Sequence, residues 1–96
     1  MEFRRGFFNT LKSDAGFVVK DRSIRGFVEY REGHRRAIVP VDNDFMQGRA
    51  YLSRATVIKW NPPHETEAIP EGKRQEILQN IFEALRFSGG PIEMVS

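Results

Sequence analysis

The sequence predicts an α+β fold: a mainly antiparallel β-sheet with one C-terminal amphipathic helix packed on one face and a short final strand. Three observations predict it. Residues 24–31 and 35–41 alternate in polarity on either side of a tight Glu32-Gly33-His34 connection, the pattern of a β-hairpin. Residues 70–87 carry one apolar stripe, Ile77, Leu78, Ile81, Phe82 and Leu85, at helical spacing. After Ser88-Gly89-Gly90-Pro91, Ile92-Glu93-Met94-Val95 alternates as a strand does.

Taken in order, residues 1–15 carry two patterns. Phe3, Phe7, Phe8 and Leu11 fall at helical spacing, Phe7-Phe8-Asn9-Thr10 would serve in a strand, and Gly6 interrupts both. The reading taken is a short helix or irregular arm. Ser13-Asp14-Ala15-Gly16 is a turn, and residues 16–20 are a strand. In the hairpin, Ile24, Gly26, Val28 and Tyr30 share one face; Arg25, Phe27, Glu29 and Arg31 share the other. Ala37, Val39 and Val41 line the apolar face of the return strand, which Pro40 confines to an edge or an end. Residues 42–48 read as a polar loop, and residues 49–52 and 56–60 as two more β segments. Asn61-Pro62-Pro63-His64 then stops the sheet. Pro70 suits the first helical turn and Glu71 its positive end, while Ser88-Gly89-Gly90 terminates the helix. The organisation expected is an N-terminal extension over 1–22, part of the fold or flexible, and a single α+β domain over 23–96.

Composition narrows function. A chain of 96 residues makes one domain with one core. It has no cysteine, hence neither disulfides nor thiolate metal sites, and this fits the cytoplasm. No apolar run is long enough for a signal peptide or a membrane helix. The net charge of +2 is too small to mark a nucleic-acid binder by itself.

The catalytic inventory is thin. His34 sits in a turn. His64 follows two prolines and precedes Glu65 and Glu67, so it is either half of a His–Glu pair or a solvated loop histidine. Asp42-Asn43-Asp44 resembles the opening of a calcium loop, but Met46 stands where an oxygen ligand is needed and Gly48 is misplaced. There is no phosphate-binding glycine motif and no zinc spacing, so neither a metal nor a cofactor is expected. Arg25 and Arg31, with Arg35 and Arg36 from the neighbouring strand, would make a cationic patch near Phe27 and Tyr30. That patch is either a recognition surface or a solvated face laced with local ion pairs. Trp60 ends a strand, as a buried anchor or as an interface hot spot.

Several landmarks carry a resemblance. Ile24-Arg25-Gly26-Phe27-Val28-Glu29-Tyr30-Arg31-Glu32-Gly33 resembles the opening hairpin of a group of small bacterial proteins. Ala55-Thr56-Val57-Ile58-Lys59-Trp60-Asn61-Pro62-Pro63 is similar to its second landmark. Lys73-Arg74-Gln75-Glu76-Ile77-Leu78-Gln79-Asn80-Ile81 looks like its helix, and Ile92-Glu93-Met94-Val95 like its last strand. The group is a family of predicted immunity proteins of bacterial polymorphic-toxin systems, family seventy-four, and the resemblance spans about 23–95. Pro70 departs from the Ser or Thr helix cap that the resemblance leads one to expect. It implies a non-enzymatic protein whose partner is a cognate toxin. Arg25, Arg31, Arg35, Arg36, Trp60 and His64 are the candidate contacts. A nucleic-acid-binding or regulatory role for the Arg-rich face is the alternative, no membrane is expected, and a homodimer remains open.

Overall fold

A computed structural model describes residues 1–96, every residue of the chain. Five strands, β1 (Phe3–Arg5), β2 (Thr10–Ser13), β3 (Phe17–Arg22), β4 (Phe27–Glu32) and β5 (Arg35–Pro40), form an antiparallel meander in chain order. A second sheet holds β6 (Asp42–Asp44), β7 (Arg49–Ser53) and β8 (Ile92–Val95). β6 and β7 pair antiparallel, whereas β7 and β8 are parallel. A parallel pair requires a crossover, and the one helix, α1 (Glu71–Phe87), lies in it. The fold is α+β, as expected.

The N-terminus is neither a helix nor an irregular arm. Gly6 N–H donates to the Thr10 carbonyl at 2.7 Å and Thr10 N–H to that of Phe7 at 3.2 Å, turning β1 back onto β2. Phe3 and Leu11 then face inward. The Phe3 ring meets Phe17 at 5.8 Å and Phe87 at 5.4 Å, while Phe7 and Phe8 are left at the turn.

Three further expectations are corrected. Ile24 does not share the inner face with Val28 and Tyr30. Residues Ser23–Arg25 form a 3₁₀ turn closed by Gly26 at φ 93°, which leaves Ile24 exposed. Residues 42–44 are strand, not loop. Asp44 Oδ1 accepts the backbone N–H of Met46 and Gln47, building the turn that brings β7 back against β6. Residues 56–60 run unpaired rather than as a strand. The Arg74 guanidinium takes the carbonyls of Arg54 and Thr56 that a ladder would need, the latter at 2.9 Å.

The core lies between α1 and the inner face of the meander. Leu11, Phe17, Val19, Val28, Tyr30, Ala37 and Val39 come from the sheet; Ile77, Leu78, Ile81, Ala84 and Leu85 come from the helix. Phe82 belongs to the flank of the helical stripe rather than its centre. It is only partly buried, and the Arg86 guanidinium lies 5.6 Å from its ring. Asn80, the one buried polar residue, donates its side-chain N–H to Tyr30 Oη at 3.0 Å. Tyr30 in turn donates to Glu32 Oε1 at 2.6 Å, and Lys73 Nζ reaches Glu32 Oε2 at 2.6 Å. Burial, with the hydrogen bond to Glu32, pushes the Tyr30 phenol far up. Burial would raise Glu32 too, but its bonds to Lys73 and Tyr30 outweigh that and hold the carboxyl below its usual range.

Candidate functional site

Alternation sends every second side chain of the meander to the face away from α1. The register sets Arg4, Lys12, Val18, Arg31 and Arg36 in one row across all five strands. The next row is Thr10, Lys20, Glu29 and Ile38, and Arg22, Phe27 and Pro40 end the face. Of these twelve outward positions six are cations and one, Glu29, is an anion, so the face carries +5 on a chain whose net charge is +2.

None of the six cations belongs to an ion pair of the protein. Arg4 stands directly opposite Lys12, and Arg31 directly opposite Arg36. Like charges opposed across strands destabilise a sheet. Such pairs left without an internal carboxylate are what a surface awaiting an acidic partner would retain. Between the rows lies a groove of about 100 Å³ lined by Val18, Lys20, Glu29, Arg31, Arg36 and Ile38. Its apolar floor and cationic rim suit carboxylates presented on an apolar surface.

The expected contact residues separate. Arg31 and Arg36 meet on this face. Arg35 points the other way, where its Nε and Nη2 grip both oxygens of Glu67 at 2.6 and 2.9 Å. That bond holds the Glu67 carboxyl below its usual range. His64 Nδ1 lies 3.5 Å from the same Glu67, so the His–Glu pairing exists, but on a carboxylate already engaged by Arg35. Trp60 is buried and stacks on Tyr30 at 6.5 Å between centroids. Asn61 N–H, just beyond it, bonds the Arg36 carbonyl at 2.6 Å and covers the β5 edge. Arg25 stands apart in the 3₁₀ turn. Sequence reasoning missed Arg4, Lys12, Lys20 and Arg22. Lys20, two residues after Val18 in a segment read as a strand, was the available signal.

No three or more His, Cys, Asp or Glu side chains gather as a metal site would require, and no helix is long and apolar enough to cross a membrane. Fold and face together define a small α+β domain that presents a cationic sheet surface. Residues 23–95 match the sequence model of the family described as Immunity protein 74, and the chain belongs to that family. None of the curated proteins matches the chain. Nor does any solved structure.

Proposed function

We propose that this protein neutralises a cognate toxin by binding it one to one, with no reaction of its own, and that the outer face of the meander takes part in the contact. Family membership over 23–95 is the observation that carries the reading. The unpaired cations supply the chemistry. Complementary charge speeds association and rejects wrong partners, so the toxin surface engaged is acidic. Arg31 and Arg36 are the contacts of choice; Arg35, His64 and Trp60 support the loop behind them. A standard interface buries about 1,200–2,000 Å² in total, an area a five-stranded face and its rim can supply. The reading places the complex in the cytoplasm, where a chain without cysteine needs no oxidising environment.

A basic sheet face also suits single-stranded nucleic acid, but that mode needs aromatic platforms for base stacking. Phe27 is the one aromatic among the outward positions, which favours protein. The test is co-expression with the toxin encoded beside this gene. Growth should recover in proportion to the amount of this protein, and the two should co-purify at fixed stoichiometry. Rescue at strongly sub-stoichiometric levels, or without a complex, would sink the proposal. Binding to generic RNA that collapses with salt would move the face to the nucleic-acid reading.

A further inference from the structure

The most exposed apolar side chains are not scattered. Phe7, Phe8, Ile24, Phe45, Met46 and Val57 are each 76–99% exposed, and all but Val57 lie on three turns. These are the β1–β2 turn, the 3₁₀ turn before β4 and the β6–β7 turn. Hydrogen bonds tie the first two together and join the 3₁₀ turn to β6. Arg22 Nη1 donates to the Phe8 carbonyl at 2.6 Å, and Asp21 N–H to that of Asn9 at 2.9 Å. Asp21 Oδ1 accepts Ser23 N–H at 2.9 Å, and the Asn43 side-chain amide donates to the Ser23 carbonyl.

The first turn is held against its own preference. Phe8 and Asn9 have φ of 59° and 58°, the left-handed values a two-residue hairpin turn demands. Asn tolerates that region; a bulky residue there is a genuine outlier, and Gly would be the ordinary choice. The chain instead places a phenylalanine, 84% exposed, where it is strained and buries nothing. Strained backbone of this kind clusters at binding sites. The turn also lies outside residues 23–95, the part of the chain that matches the family.

We propose that Phe7 and Phe8, at the tip of the β1–β2 turn, are the anchor that inserts into an apolar depression on the toxin, with Phe45 and Met46 of the β6–β7 turn as further apolar contacts. The proposal rests on the neutralisation reading above and adds the site and chemistry of recognition. Large apolar side chains in a partner's pocket, surrounded by weaker contacts that exclude water, are the usual energetic centre of an interface. The segments beside these turns carry both signs: Arg22 and Arg25 on one hand, Asp21, Asp42 and Asp44 on the other. An anionic bilayer would repel those carboxylates, whereas a protein surface can answer each charge in turn.

The experiment uses the full chain and the purified product of the adjacent toxin gene. Phe8→Gly, Phe7→Ser/Phe8→Gly and Phe45→Ser/Met46→Ser are compared with wild type for Kd, dissociation rate and melting temperature. The Phe7/Phe8 variants should weaken Kd about tenfold or more, mainly through faster dissociation. Their melting temperature should not fall, because glycine fits φ near 59° better than phenylalanine does. The Phe45/Met46 variant should show the same loss of affinity without unfolding. Unchanged affinity in both sets would overturn the anchor and leave neutralisation standing. A lowered melting temperature in Phe8→Gly would make the turn a structural element instead. Sedimentation of wild type, but not the variant, with vesicles of equal phosphatidylserine and phosphatidylcholine would assign the tip to a membrane and overturn it as well. If wild type itself forms no complex, the neutralisation reading falls and the anchor with it.

Discussion

The two faces of the meander are made by the same five strands, yet they settle their charges in opposite ways. On the inner side Tyr30, Asn80, Glu32 and Lys73 form a closed chain of donors and acceptors, and no buried side-chain polar atom lacks a partner. On the outer side six cations face one carboxylate, and two pairs of them stand directly opposed. A buried network must be satisfied because an unpaired group there carries its full desolvation cost. An exposed face is under no such constraint, and on the function proposed above its imbalance serves the partner rather than the fold. Changes inside should therefore move stability, and changes outside should move association.

The largest effect is expected where the inner face meets α1. Ile81→Ala removes a fully buried side chain and should cost about 2–5 kcal/mol, a large part of a small domain's stability. Phe82→Ala, on the flank of the stripe, should cost less than Ile81→Ala despite its larger volume. Chemical denaturation of both variants checks the order, and the reverse order would mean the helix is rotated about its axis.

A smaller effect follows from pH. Glu32 is held below its ordinary value of 4.5 in the folded state, so on acidification the unfolded chain takes up the proton first. The stability this contributes is fully present above about 4.5 and is lost as the pH falls further. Burial alone would lower Lys73, but its bond to Glu32 raises it above 10.5, so that contribution is present below about 10.5 and drains away above it. Melting temperatures measured against pH should fall on both sides, and Glu32→Gln should flatten both limbs. Because the pair is partly exposed, solvent screening keeps the effect modest.

Much of this division was legible in the sequence where it is local. The β4–β5 hairpin was announced by alternation around Gly33, the helix by its apolar stripe, and β8 by four alternating residues. What escaped depends on distant partners. β1 and β2 are three and four residues long, too short for a period to declare itself, and their phenylalanines coincide with helical spacing. β6 reads as a polar loop because Asp42, Asn43 and Asp44 become a strand only once β7 lies against them. The 56–60 segment has strand composition, but Arg74, eighteen residues beyond Thr56, occupies its carbonyl. The site failed for the same reason. Arg31 and Arg36 could be paired from one hairpin, whereas Arg4, Lys12 and Lys20 join them only through registers spanning the whole meander.

If the outer face serves association and not the fold, the triple variant Lys20→Gln/Arg31→Gln/Arg36→Gln will separate the two. Its melting temperature and its association with the adjacent toxin should be measured together, at low and at physiological salt. The melting temperature should equal or slightly exceed that of wild type, since an opposed like-charge pair has been relieved. Association should be slower than in wild type and depend less steeply on salt. Unchanged association and salt dependence, or a loss of stability large enough to explain the loss of binding, would rule out a role for this face in association.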